Sequence, residues 1–438
     1  MEENCLKDEN SKVLIIKDIG KLYGFDKNLN FFKRDNCTII IKDGKIFDII
    51  ELKDYDSRLR AENYEKQLKD HSKTSVEEIS VVNAKGQVVF PSFVDPHTHL
   101  IYYGDRASEF FMRNQRIPYM EIAERGGGIA SSVRQTRSAS DEQLLLSLLK
   151  RLKALSSFGV SHVEIKSGYG LTKKDELRLL RIINKAKVYT NMIIQPTCMA
   201  AHDFPPEAKN DPKLKEKWIS EIEKEILPYV KEENLSEFFD IFSEEKVYNL
   251  EQTERLCKAA LDLGFKLKLH VDEITNIGAC QLAVKLKARS VEHLLKITED
   301  EILLLKESET IPVLLPGTAF YLNEPYAPYE LFEKNGVEVA LASDSNPGSN
   351  CTENMLLIYT IAAIKLHMPL DVILKAATVT ASKASDFIKP SGIIDKGECA
   401  NLIIAEIPHL EYLFYHYGDN PIKEVIIEGK KAFVNIDM

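Results

Sequence analysis

Asp95-Pro96-His97-Thr98-His99 directly follows the apolar run Val88 to Phe93. On an extended backbone residues i and i+2 point to one side, so His97 and His99 can meet one ion while Thr98 points away. Two imidazoles at the C-terminal end of a strand suit Zn²⁺ or another borderline divalent metal. A His-x-His in a loop is common, and the weight of this one comes from the other strand ends. His270 follows Leu267 to Leu269, His293 follows Ser290 to Glu292, and Asp344 follows Val339 to Ser343. His202 lies just beyond the run that ends at Ala201. Separate strands thus deliver ionisable side chains to one rim. His71, His367, His409 and His416 sit in polar or helical surroundings and read as structural or exposed. His162 begins a strand and would face the opposite end.

The elements that must position these residues fall into three zones. From Lys12 to about Gln87 there are short β-branched runs: Val13 to Ile16, Cys37 to Ile41, Lys45 to Ile50 and Ile79 to Val82. The Asp43-Gly44 pair between the second and third predicts a hairpin. Asp54 to Thr74 is a charged stretch, expected as a solvated helix or insertion. From Val88 onward, strands alternate with helices. Strand candidates are Val88 to Phe93, His162 to Lys166, Met192 to Met199, Phe238 to Phe242, Lys266 to His270, Ser290 to His293, Ile311 to Leu315 and Glu338 to Ala342. Helical patterns between them include Asp141 to Ser157, Lys173 to Lys187, Leu214 to Lys231 and Leu250 to Leu263. This pattern predicts an α/β fold, a parallel (β/α)8 TIM-type barrel with its site past the strand C-termini, although a doubly wound sheet reads similarly. A helix from Asp371 to Ser382 should close the zone. Short strands around Gly397, Gly418 and Gly429 follow, so a smaller β-sandwich-like domain should draw on both termini. The expected division is a disordered segment 1–11, a composite domain of 12–90 with 386–438, and a barrel of 91–385.

Composition bounds the function. Over 438 residues the net charge is −10, against the basic face of a general nucleic-acid binder. No stretch reaches the ~18 apolar residues of a membrane helix, and Met1 to Lys12 lacks the apolar core of a signal peptide. Seven scattered cysteines without CxxC pairs fit reduced thiols. The expectation is a soluble cytoplasmic protein that binds neither nucleic acid nor membrane, with a homodimer expected from apolar helices outside the barrel.

With the rim residues placed, the sequence resembles the amidohydrolase superfamily and, within it, the imidazolonepropionase family. The resemblance rests on Pro91 to His99, then Arg106, then Tyr119 followed by Gly126-Gly127-Gly128-Ile129. It continues through Glu164 to Leu171, Ala201 to Glu207 and His270-Val271-Asp272-Glu273. Leu314 to Gly317 and Asp344-Ser345-Asn346-Pro347-Gly348-Ser349 complete it, and it spans about Val13 to the C-terminus. The sequence departs from the family at Ser243, where cysteine is usual, and at Asn401, where aspartate is expected. Neither touches the presumed metal.

The resemblance implies one divalent metal ion, Zn or Fe, on His97, His99, His270 and Asp344. No lysine lies at the end of strand four to bridge a second ion. The implied reaction is hydrolysis of the cyclic amide of 4-imidazolone-5-propanoate to N-formimidoyl-L-glutamate by hydroxide that the metal activates. Asp344 would also accept the water proton, His293 would orient water or stabilise the oxyanion, and Glu273 would carry a proton to the leaving nitrogen. Arg106 would pair with the propanoate carboxylate. Tyr169 and His202 would hydrogen-bond the substrate, Tyr119 would pack or bond beside Arg106, and Asn346, Gly348 and Ser349 would contact substrate and product. The alternatives are another amidohydrolase of a nitrogen heterocycle, a deaminase or cyclic amidase with no need of Arg106, and a non-catalytic scaffold, which would usually lose its metal ligands. Gly126 to Gly128 lacks the strand context of a phosphate loop and reads as a mobile rim loop.

Overall fold

The computed structural model describes residues 12–53, 57, 78–115, 117, 127–388 and 390–434. Segment 1–11, expected to be disordered, and the charged stretch 54–74 apart from Ser57 lie outside the described residues. The chain divides into two compact units, Met1–Ser92 with Lys389–Met438, and Phe93–Ile388.

In the first unit one long strand, Lys12–Phe25, organises the sheet. It pairs antiparallel with Phe31–Lys42, which turns through Asp43-Gly44 into Lys45–Glu51 as the hairpin pattern predicts. Its first half pairs parallel with Glu78–Asn83 and its second half with Val88–Pro91. Strands Leu402–Ala405, Ile422–Ile427 and Lys430–Val434 extend the sheet from Val88–Pro91. Strand periodicity sends Leu14 and Ile16 into one apolar cluster and Val13 and Ile15 into another, so the sheet buries both faces. A register shift between Ile16 and Ile19, with Asp18 at φ 55°, bends the long strand. Asn401 accepts from Glu428 N at 2.9 Å and donates to Pro390 O at 3.3 Å. The second bond needs an amide donor that the expected aspartate lacks.

The second unit is a (β/α)8 barrel. Its strands, in sequence and in sheet order, are Phe93–Asp95, Val160–Lys166, Ile193–Ala201, Phe238–Ser243, Lys266–Val271, Ser290–His293, Ile311–Leu314 and Ala340–Leu341. Several of the helices between them start on side-chain caps. Ser140 and Gln143 form a capping box for Asp141–Ser157, Thr172 caps Lys173–Ala186, and Asn249 with Gln252 caps Leu250–Asp262. Two expected elements are split. The run Val88 to Phe93 ends its first strand at Pro91, and the first barrel strand begins at Phe93. The expected helix Asp371 to Ser382 is two helices, Leu370–Ala376 and Val379–Ala384, because Thr378 leaves the helical region at φ −133°, ψ −82°.

The first and eighth strands meet beyond their ends. Asp344 N donates to His97 O at 3.0 Å and His99 N donates to Ser345 O at 2.9 Å. One layer below, the fully buried Asp95 carboxylate accepts Ser343 N at 3.0 Å and Ser343 Oγ at 2.5 Å. Burial pushes the Asp95 carboxyl up to about 6 against the pull of the Ser343 bonds. Ser343→Ala removes a hydroxyl from a carboxylate that has no access to water, which costs about 1–3 kcal/mol. The expected outcome is a lower urea midpoint for this unit; an unchanged midpoint would show that Asp95 does not depend on that bond.

Candidate active site

At the C-terminal rim of the barrel, four side-chain atoms converge. His97 Nε2 lies 3.3 Å from His99 Nε2, which lies 3.3 Å from His270 Nε2. Asp344 Oδ1 lies 3.4 Å from His97 Nε2 and 3.5 Å from His99 Nε2. Donors placed tetrahedrally around an ion at ~2.1 Å are about 3.4 Å apart, so these atoms already have the spacing of a coordination shell. His97, His99 and Asp344 form one buried group able to hold a metal ion, and His97, His270 and His293 form another.

The backs of two rings rest on carboxylates. His97 Nδ1 is 2.5 Å from Glu292 Oε2, and His270 Nδ1 is 3.1 Å from Asp240 Oδ1. An ionised carboxylate only accepts, so His270 Nδ1 carries the proton and its Nε2 lone pair faces the point of convergence. Burial opposes charge on His97, but Glu292 outweighs it and raises that imidazole to about 9. Burial would raise Asp344, yet the His97 bond and charge hold it down at about 2. Its other oxygen, Oδ2, accepts Thr318 Oγ1 at 2.6 Å. Asp344 and His293 both adopt left-handed backbone, at φ 53° and 78°, which is uncommon for a residue with a Cβ.

Above these atoms opens a cavity of about 350 Å³ lined by His99, His270, His293, Glu273 and Asp344 on its floor. Glu273 Oε2 is 3.6 Å from His293 Nε2. Burial, then Asp344 and Glu244, push the Glu273 carboxyl up to about 8. Arg106, Tyr169, His202, Asn346, Gly348 and Ser349 complete the walls with residues the sequence did not single out, among them Arg113. Tyr119 and Gly126 lie outside the described residues.

Arg106 is held from two directions. Its Nε and Nη2 donate to Glu109 Oε2 at 2.9 and 2.8 Å, and a Cβ on Gly348 would collide with its Nη1. Arg113 Nη2 donates to Gly348 O at 2.8 Å and fixes the same turn. Asn346 shapes that turn from inside. Its Oδ1 accepts Gly348 N and Ser349 N at 2.8 and 2.7 Å, and its Nδ2 donates to Asp344 O and Ser349 Oγ at 2.7 and 2.8 Å. All the bonding capacity of an amide is thereby used.

Two further carboxylates hold rim loops. Glu176 accepts the backbone N–H of Gly168, Gly170 and Leu171 at 3.0, 2.7 and 2.8 Å, which sets the loop carrying Tyr169. Glu244 Oε1 accepts the N–H of Glu273, Ile274 and Thr275 at 3.0, 2.9 and 3.3 Å. His202 Nδ1 donates to Gly168 O at 3.1 Å, and Gly168, at φ 107°, has no Cβ to strike that ring. Ser243, in place of the usual cysteine, pairs with Thr253 Oγ1 at 2.8 Å.

The signal for Glu164, Lys166, Asp240, Lys268 and Glu292 was present in the sequence. Each interrupts an apolar strand that is buried on both faces, where charge is not expected. Arg113, Glu176 and Glu244 gave no comparable signal, being ordinary charges on helices and loops until the fold half-buries the arginine and buries the two glutamates.

No protein-family model matches the sequence. An imidazolonepropionase of Caldanaerobacter subterraneus subsp. tengcongensis is 39% identical over 392 residues, 90% of this chain and 89% of its own. Another, from Fusobacterium nucleatum subsp. nucleatum, is 39% identical over 420 residues, 96% of this chain and 98% of its own. The chain belongs to the imidazolonepropionase family. Among solved structures, a zinc-bound adenosine deaminase from Xanthomonas campestris aligns with TM-score 0.69 at 18% identity, covering 98% of this chain and 95% of that one. A triazine hydrolase variant aligns with TM-score 0.69 at 12% identity, covering 97% and 95%. These two likenesses concern the fold, and the family rests on the sequence relatives.

Burial, then the neighbouring His270, lowers His202 to about 3, and burial lowers His293 to about 3 despite Asp344. Between the ordinary value of 6.5 and about 3, the unfolded chain takes up protons that these folded imidazoles refuse. Stability in the metal-free protein therefore falls as pH falls through that window. His202→Gln should flatten this acid limb in urea midpoints measured across the window. An unaltered slope would mean that His202 is charged in the folded state.

Proposed function

We propose that the chain hydrolyses the ring amide of 4-imidazolone-5-propanoate to N-formimidoyl-L-glutamate, using one divalent ion, Zn or Fe, on His97, His99, His270 and Asp344. The observation that carries this reading is the convergence of four donor atoms at the base of a cavity that His99, His270 and Asp344 line and whose wall holds a braced arginine. When bound, the ion supplies Lewis acidity and lowers the pKa of water toward ~7. Asp344 Oδ1 accepts the proton released as water adds to the ring carbonyl carbon. His293, neutral in this setting, donates one N–H toward the developing oxyanion. Glu273 delivers a proton to the ring nitrogen as the C–N bond breaks, so the nitrogen leaves neutral. Arg106 pairs with the propanoate carboxylate, and Glu109 and Gly348 keep its planar fork fixed for that pairing. Tyr169 and His202 hydrogen-bond the ring; His202 Nε2 is an acceptor because Nδ1 holds the proton. Ser349 and the Gly348 backbone border the same end, with Asn346 as the builder of their turn. Tyr119 completes our proposed substrate set. Free thiols on the six described cysteines support a cytoplasmic setting, and among the described residues no helix is long and apolar enough to cross a membrane.

Elemental analysis tests the metal. The parent protein should carry about one ion per chain, and His97→Ala or His270→Ala should lose it together with turnover while staying folded. Near-normal activity in either variant without added metal would refute the ligand set, and two ions both needed for activity would refute the count.

Arg106→Gln tests the substrate. Losing one partner of a buried charge pair costs about 2–5 kcal/mol, roughly 30- to several-thousand-fold in kcat/KM. Metal content should hold, and an imidazolone without the side-chain carboxylate should react about equally poorly with both proteins. Equal losses for carboxylate-bearing and carboxylate-free substrates would reject the pairing and favour a different heterocycle.

A further inference from the structure

Beneath the four donor atoms the barrel axis is charged. Lys166 and Lys268, with Glu164, Asp240 and Glu292, have no solvent exposure. Barrel interiors are ordinarily filled by branched apolar side chains, and a buried ion network is often no more stabilising than an apolar replacement. Stability alone therefore does not account for this layer, and its contacts point upward. Lys166 Nζ lies 2.6 Å from Asp240 Oδ2 and 3.0 Å from Glu292 Oε2. Each carboxylate also meets an imidazole: Asp240 through its other oxygen, with Oδ1 3.1 Å from His270 Nδ1, and Glu292 through the same Oε2, 2.5 Å from His97 Nδ1. Glu292 Oε2 is also 3.6 Å from His270 Nδ1. Asp240, His270 and Glu292 have the spacing of a metal-holding group themselves. The Lys166 ammonium already stands between the two carboxylates, so a cation of this chain fills that position.

We infer that Asp240 and Glu292, tied together through Lys166, are positioning residues that set the ring orientation and the donor nitrogen of His270 and His97. Asp240 holds the proton on Nδ1 of His270 and leaves its Nε2 bare toward the ion, and Glu292 sets its negative charge 2.5 Å behind the His97 ring. The ammonium keeps two carboxylates side by side that would otherwise repel, so the two rings are oriented as a pair. Lys268 anchors the lower edge, with Nζ 3.3 Å from Glu292 Oε1 and 2.8 Å from Pro96 O, next to His97. The inference rests on the ligand set proposed above.

The test is zinc affinity, measured by chelator competition on the full chain, beside the melting temperature of the metal-free form. Glu292→Gln and Asp240→Asn keep the size of each side chain and remove its charge. Each should weaken zinc binding about 10- to 100-fold, the usual effect of losing an outer partner of a metal-bound histidine. Each should also shrink the rise in melting temperature that zinc produces. Because Lys166 joins the two carboxylates, the double variant should weaken binding by less than the product of the single effects. Unchanged affinity with a lower metal-free melting temperature would overturn the inference, since a merely structural layer behaves that way. Fully multiplicative losses would overturn the link through Lys166. If Glu292→Gln does not fold, Asp240→Asn decides alone by the same affinity criterion. The ligand set fails separately: it is wrong if His97→Ala retains zinc, whereas zinc lost in His97→Ala but kept in Glu292→Gln defeats only the positioning role.

Discussion

Three imidazole nitrogens and a carboxylate oxygen, each 3.3–3.5 Å from at least one of the others, crowd toward a single point, and the rest of the barrel is arranged around that crowding. Lone pairs so close repel, and burial removes the water that would otherwise separate them. The chain meets this with covalent and hydrogen-bonded constraint. His97 and His99 are two residues apart on one strand end, and the backbone of that segment is bonded to Asp344 and Ser345. Three of the four donors therefore belong to one hydrogen-bonded seam between the first and eighth strands. His270 comes from across the barrel and is held from behind by Asp240.

Beyond the floor, the site is made by loops, and buried carboxylates give those loops fixed shape. Glu176 and Glu244 each accept three backbone N–H groups that a turn would otherwise leave unsatisfied. A carboxylate has about four acceptor positions, so one side chain can replace several backbone bonds. Tyr169 and Glu273 thus sit on loops with definite geometry, which suits groups that must meet a small substrate at hydrogen-bond distance. Asn346 does the same for the turn that borders Arg106.

Legibility in the sequence followed the physical origin of each feature. The barrel strands were readable because parallel strands covered on both faces are apolar runs, and the metal-type donors because each stands where such a run ends. The boundary between the sheet strand Val88–Pro91 and the barrel strand Phe93–Asp95 was hidden, since both halves are apolar and only pairing separates them. The break at Thr378 was hidden as well: Ala376-Ala377-Thr378-Val379 has no glycine or proline, and the backbone departs from the helix without either. Asn346 reads as a substrate contact by resemblance to the family's turn after strand eight; that its amide also builds that turn depends on four distances that no spacing rule supplies. Glu292 went unnoticed beside His293, because strand alternation sends neighbours to opposite faces, whereas His293 at φ 78° leaves the extended backbone and both side chains reach the interior beside His97.

The solved structures that share this barrel at 12–18% identity include an adenosine deaminase and a triazine hydrolase, so the barrel by itself does not choose a substrate. What separates one occupant from another must lie in groups that the strands do not dictate. In this chain the floor of the cavity bears the donor atoms, and Arg106 on its wall is gripped by Glu109 and by the bare face of Gly348. On the proposed reading, a guanidinium already fixed in place would lose little freedom when a carboxylate arrives, so its binding energy would go into placing the ring rather than into ordering the arginine. The span from that fork to the donor atoms would then select for length. An anionic tail too short or too long would hold the reacting carbonyl off the floor even if it paired well. Specificity in this reading is a property of two rigid ends and the span between them, and the loops held by Glu176 and Glu244 set the walls of that span.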